Sequence, residues 1–185
     1  QGLTAARALE KLIEDDRGRE LRQVAIVDRD GNTAAYTGAK CIPWAGQVEG
    51  GGYVCIGNIL AGEEVVKAMA RAFEVSADEE LPERLLRALE AGQEAGGDRR
   101  GRQSAGIHIV HAEEYPYCDL RVDDHPDPIP ELRRVFEVFQ RELAPFMPMM
   151  ARREDYTPHW DAVIRIREEL EASLEEEAAI TKERL

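Results

Sequence analysis

The chain has 185 residues, with 37 Asp and Glu against 24 Lys and Arg and a formal net charge of -13, so it has the size of one domain and the wrong sign for a nucleic-acid partner. No run of about 18 apolar residues is present to cross a membrane, and the first residues form an amphipathic pattern rather than the apolar centre of a secretory signal. Cys41, Cys55 and Cys118 lie far apart with no Cys-x-x-Cys pair, which predicts free thiols in a cytoplasmic protein and no disulfide framework or zinc knuckle.

Thr4 is placed to cap a helix carrying Ala5, Ala8, Leu9 and Leu12, which ends near Asp15-Asp16-Arg17-Gly18. Val24-Ala25-Ile26-Val27 is a continuous apolar run and predicts a strand covered on both faces. Asp30-Gly31-Asn32 signals a tight turn, so residues 23–37 form an expected hairpin inside a buried sheet. The stretch 38–52, rich in glycine with Pro43 and Trp44 at its middle, is expected as a loop, followed by a short strand at Tyr53-Val54-Cys55-Ile56. A helix over 62–73 would bury Val65, Val66, Met69 and Phe73. A second, from Leu81, places Pro82 in its first turn, where no amide proton is required.

Ile107 to His111 and Asp119 to Asp123 are predicted strands. Asp127 is placed to cap a helix with Pro128 and Pro130 in its first turn and Leu132, Val135, Phe136, Phe139 and Leu143 on one stripe, broken by Pro145 and Pro148. Beyond Asp155 the chain is charge-dense, with Trp160, Val163, Ile164, Leu170 and Leu174 on one helical face. That arm is expected to dock on the body or on a second subunit, and Met147, Met149 and Met150 add a soft apolar patch that favours a homo-oligomer. The order of elements predicts a layered α+β domain over 1–145 with a C-terminal helical extension over 146–185. A doubly wound parallel sheet is disfavoured, since no Gly-x-Gly-x-x-Gly follows a strand.

The densest chemistry lies in Gly96-Gly97-Asp98-Arg99-Arg100-Gly101-Arg102-Gln103-Ser104. Glycines allow sharp turns that aim amides at an anion, and guanidinium forks beside them suit a carboxylate or phosphate. The other reading is a loop of ion pairs, with Asp98 clamping Arg100 or Arg102 internally, and a third has the arginines closing a subunit interface. Gln103 and Ser104 face either core or site, and no Gly-x-Ser-x-Gly elbow surrounds Ser104. Asp123, Asp124 and His125 are ligand types for a divalent ion, yet adjacent residues rarely face one point, so no metal and no cofactor are expected. His108 and His111, at odd spacing on a strand, point to opposite sides and are expected in core or surface. His159 falls in the tail.

Five stretches are similar, in order, to successive signatures of one family: Arg22-Gln23-Val24-Ala25-Ile26-Val27-Asp28; Thr37-Gly38-Ala39-Lys40-Cys41-Ile42-Pro43-Trp44-Ala45-Gly46; Gly57-Asn58-Ile59-Leu60-Ala61-Gly62; Ala95 to Ala105; and Leu120 to Pro128. The chain resembles the prokaryotic domain-of-unknown-function 1028 family, placed in the Ntn-hydrolase (N-terminal nucleophile) superfamily, over about residues 1–143. The resemblance implies a four-layer αββα sandwich and amide-bond hydrolysis by a Thr, Ser or Cys at the mature N-terminus, whose own α-amine is the base. An α-amine titrates near neutrality, so it can take the side-chain proton without a histidine. The family pattern carries strands and that nucleophile ahead of Gln1. The expectation is therefore a chain that supplies a substrate-binding loop, either as a fragment of the protein that carries the nucleophile or as the partner of a separate N-terminal fragment of the same protein.

On this resemblance Asn58 either donates to an oxyanion or caps a strand–helix turn. Asp98, Arg99, Arg100, Arg102, Gln103, Ser104, Asp123, Asp124 and His125 are the candidate contacts to a small anionic amide. The competing class is a non-catalytic small-anion binding or assembly protein on the same scaffold.

Overall fold

Helix α1 (Ala5–Glu14) is capped twice. The Thr4 hydroxyl accepts from Arg7 N at 3.4 Å, and Asp28, from a distant turn, accepts from Ala5 N at 3.0 Å. The same carboxylate accepts from the amides of Asp30 and Asn32 and from the Asn32 side chain. The Asn32 side chain first, then the Ala5 amide, hold the Asp28 carboxyl below its usual 3.8. One side chain thus locks a hairpin turn to a helix end. These contacts belong to a computed structural model that describes residues 2–155, 161–169 and 171–172.

The turn joins β1 (Gln23–Val27) to β2 (Thr33–Thr37), antiparallel in the register Gln23↔Thr37 to Val27↔Thr33. Alternate side chains leave opposite faces of a strand. Val24, Ile26, Ala34 and Tyr36 pack toward Ala5, Leu9 and Ile13 of α1, while Ala25 and Val27 are exposed. The apolar run is therefore covered on one face by α1, and not on both as its composition suggests.

The glycine-rich stretch expected as a loop contains β3 (Gly46–Gly50), paired with β4 (Tyr53–Gly57) from Gly46↔Gly57 to Gly50↔Tyr53. Its glycines are strand residues under aromatic rings. A Cβ on Gly46 would stand 2.5 Å from the Trp44 ring, and one on Gly50 would enter the Tyr53 ring. Helix α2 (Glu64–Val75) covers this hairpin, with Val66 and Ala70 against Cys55 and with Trp44, Val48 and Leu60 around them. Met69 and Phe73 are half-buried.

The two hairpins meet, β1 against β4 and β2 against β3. Their tips join through Gly52 N donating to Gly31 O at 3.1 Å. At the opposite end Gln23 reaches from β1 to the backbone of both β3 and β4. Helix α3 (Leu81–Glu94), with Pro82 in its first turn, packs on α2, where Gly92 leaves space for Met69. A third two-stranded sheet, β5 (Ala105–Val110) with β6 (Pro116–Val122), precedes α4 (Pro128–Glu142).

The fold is mixed α+β, built of small sheets and helices. It divides into two compact units: up to Ile107 with Arg121–Leu132, and His108–Leu120 with the chain from Arg133 onward. The first holds α1 to α3, β1 to β4 and the arginine loop. In the second, Cys118, Phe136 and Phe139 are buried, and Tyr117 meets Phe139 edge-on at 6.3 Å. Residues 161–169 are helical, whereas Trp160, His159, Leu170 and Leu174 of the predicted arm lie outside the described residues. Among those described, no helix is long and apolar enough to cross a membrane.

Candidate functional site

The arginine loop leaves α3 through Gly96 and Gly97, whose φ angles of 117° and 56° favour glycine. Backbone bonds pin it along the segment after Asn58. Arg99 N donates to Ile59 O and Ala61 N to Gly97 O, both at 2.9 Å. The Arg99 side chain donates to Pro43 O at 3.1 Å.

The remaining charges close on one another. Arg100 grips Asp98 with Nη2 at 2.6 Å and Nε at 3.0 Å, and its amide donates to the same carboxylate at 2.8 Å. The Arg100 side chain is the main cause that holds the Asp98 carboxyl below 3.8. Arg102 pairs with Asp127. His125 N donates to Gln103 O at 2.9 Å, and His125 Nδ1 accepts from Asp127 N at 3.0 Å.

Asp98, Arg100, Arg102, Gln103 and Ser104 therefore share a cavity of about 360 Å³, bounded also by Pro128 and Ile129. Asp123 and Asp124 are exposed and outside its lining, with Asp123 3.4 Å from Arg121. Among the described residues no three His, Cys, Asp or Glu side chains converge on a metal position. His108 sits on the exposed face of β5, 3.5 Å from Asp119.

Asn58 belongs elsewhere, to a cleft of about 540 Å³ lined by Gln23, Ala25 and Ile56 at the strands and by Lys40, Cys41 and Ile42. The Gln23 amide nitrogen donates to Thr37 Oγ1, Gly46 O and Gly57 O at 3.0, 3.1 and 2.8 Å. Three acceptors on one side fix which end of this amide is nitrogen. Its Oε1 then faces Asn58, which donates Nδ2 at 3.2 Å. The Asn58 side chain is thus held by Gln23 and does not cap α2, whose first turn has no side-chain cap. Cys41 Sγ donates to Arg22 O at 3.3 Å. Burial pushes the other two thiols, Cys55 and Cys118, up to about 11, so they are poor nucleophiles.

Sequence reasoning passed over Gln23, Lys40 and Cys41 as site residues, although all three fall in the resembling stretches. Nothing in a linear pattern says that a glutamine at a strand start bridges two hairpins.

A family model matches residues 1–132, from α1 through the two hairpins and the arginine loop into α4. The chain belongs to DUF1028, a family of unknown function. A crystal structure of a DUF1028 protein from Silicibacter pomeroyi is similar, with a TM-score of 0.73 and 31% identity over 85% of this chain and 70% of that one. No functionally curated protein matches this DUF1028 chain.

Proposed function

We propose that this DUF1028 chain forms the larger part of an Ntn-type amidohydrolase acting on a small anionic amide, on a four-layer αββα sandwich. The observation that carries the reading is the Asn58 amide, oriented by Gln23 in the cleft where the hairpins meet. The succession of contacts, α1 on the first hairpin, that hairpin on the second, and the second on α2, supports the layered architecture. Two-stranded sheets are marginal alone. Each two-stranded sheet has outer edges that suit added strands, and the reading requires a further segment that brings the nucleophile.

In this mechanism the nucleophile's oxygen or sulfur bonds to the amide carbon while its α-amine takes the proton. The carbonyl oxygen becomes an oxyanion and accepts the second Nδ2 proton of Asn58. The proton passes to the leaving nitrogen, the C–N bond breaks, and water later releases the acid.

Ammonia or amine release from short anionic amides, measured on the protein joined to such a segment, tests the reading. Changing the head residue to Ala is expected to abolish release, and full activity in that variant overturns the proposal. Asn58→Ala is expected to lower kcat about 100-fold.

A second reading, a non-catalytic binder of small anions, is favoured by the arginine-loop cavity. A guanidinium has five donors, and Arg100 spends only part of its fork on Asp98. Phosphate and carboxylates that raise Tm without being consumed support it.

A further inference from the structure

We propose that the cleft between the two hairpins is a binding site for a short-chain carboxylate, with Lys40 as its counter-ion. Several cations of this chain have no acidic partner among the described residues, and Lys40 is the one of them that lines the cleft. Lys40 has no side-chain ion pair or hydrogen bond among the described residues, and it lines the cleft beside Cys41 and Asn58. Glu20, whose backbone carbonyl accepts from Lys40 N, has its carboxylate already engaged. Glu20 accepts from Ala39 N at 3.1 Å and from the Tyr36 hydroxyl at 3.4 Å, and it lies 3.9 Å from Arg19.

The rest of the lining decides the ligand's shape. Leu21 and Ile42 are 66% and 56% exposed, and with Ala25 and Ile56 they offer an apolar wall about the size of a few methylenes. Water covers them at a cost that a short apolar chain removes. Asn58, in the same lining with its Nδ2 turned to Gln23, keeps one N–H and its carbonyl for a polar group on the ligand. A carboxylate on Lys40, a short apolar body and a polar group on Asn58 satisfy all three surfaces. In the arginine loop the charges of Arg100 and Arg102 are neutralised by Asp98 and Asp127, and Arg99 is spent on the Pro43 carbonyl. This site rests on the hydrolase reading only in taking the Asn58 partner for the scissile amide.

The test is an NMR titration of the whole chain with butyrate, and with uncharged butyramide beside it. A ligand of so few atoms is expected to bind in about the millimolar range. Butyrate should move the amide signals of Lys40, Cys41 and Asn58, and Lys40→Ala should weaken it about tenfold while Lys40→Arg retains it. Lys67→Ala, on an exposed face of α2, is the matched loss of one charge and should change nothing. Shifts collecting at Arg100 to Ser104, equal affinity for butyramide, or indifference to Lys40→Ala each overturn the site. Amide turnover with a KM indifferent to Lys40→Ala also overturns it while leaving the hydrolase reading intact. Lys40-dependent binding in a protein that hydrolyses nothing supports the site and removes only the hydrolase reading.

Discussion

Arg100 and Arg102 line one cavity with their charges paired to Asp98 and Asp127, whereas Lys40 stands in the other with no acidic partner among the described residues. The first is the richer in sequence and the poorer in available charge. An aspartate two residues from an arginine, on a loop that turns through glycine, reaches it as soon as the loop forms. Lys40 is flanked by Ala39 and Cys41, and the neighbouring Glu20 carboxylate is spent on a backbone amide and a tyrosine. Charge density along a chain is therefore no measure of charge presented to a ligand.

The sharpest way to break the contrast is to remove the cleft. Gly38→Ala would drive a Cβ into the Arg19 and Glu20 backbone, beneath the segment that carries Lys40. Backbone cannot rotate away as a side-chain tip can, so a loss of about 3 kcal/mol in urea unfolding is expected, with butyrate binding lost as well. Gln23→Ala comes next. It removes the side-chain donor of the Gly46 and Gly57 carbonyls, leaves Thr37 Oγ1 with Gln47 alone and frees Asn58 to rotate. We expect a loss of about 2 kcal/mol in the same measurement, with arginine-loop contacts untouched.

The opposite cavity can be turned into an anion site. Asp98→Ala leaves Arg100 without its partner, so sulfate should raise the Tm of this variant more than that of the parent. Equal shifts would mean that the fork was already open to ligands.

Acid provides a milder probe. The carboxyls of Asp16, Asp28 and Asp98 all lie below 3.8, held by the Gly18 amide, the Asn32 side chain and the Arg100 side chain respectively. A carboxyl lowered in the folded state contributes its full stability above the ordinary value and loses it as pH falls through the lowered one. Circular dichroism should therefore show stability that is flat above pH 5 and declines below about 4, with Asp28→Ala flattening part of the decline. The smallest effect is expected for Thr4→Ala, about 0.5 kcal/mol in urea unfolding, because Asp28 still caps α1.

Much of the secondary structure was legible residue by residue. Thr4 as a cap, Asp30-Gly31-Asn32 as a turn and Pro82 in a first turn all express local preferences of the backbone, and local preferences survive into the fold. The arginine loop was legible in part: of the two arginines within reach of Asp98 in sequence, Arg100 and Arg102, the fold pairs it with Arg100. Strand β3 was not, because Gly46 and Gly50 read as loop until the rings of Trp44 and Tyr53 are in place above them. Nor was the bare face of β1, since four apolar residues in a row do not say which neighbour arrives. The site suffered most: Asn58 was placed with the arginines, and it faces Gln23, thirty-five positions away in sequence.

The amino-acid sequence by itself determined the helices, the first hairpin and the family. Tertiary structure alone decided which hairpins stack, which amide Gln23 orients and which cation is left without an acid. Those outcomes depend on distances between residues far apart along the chain, and such distances exist only once the backbone has closed.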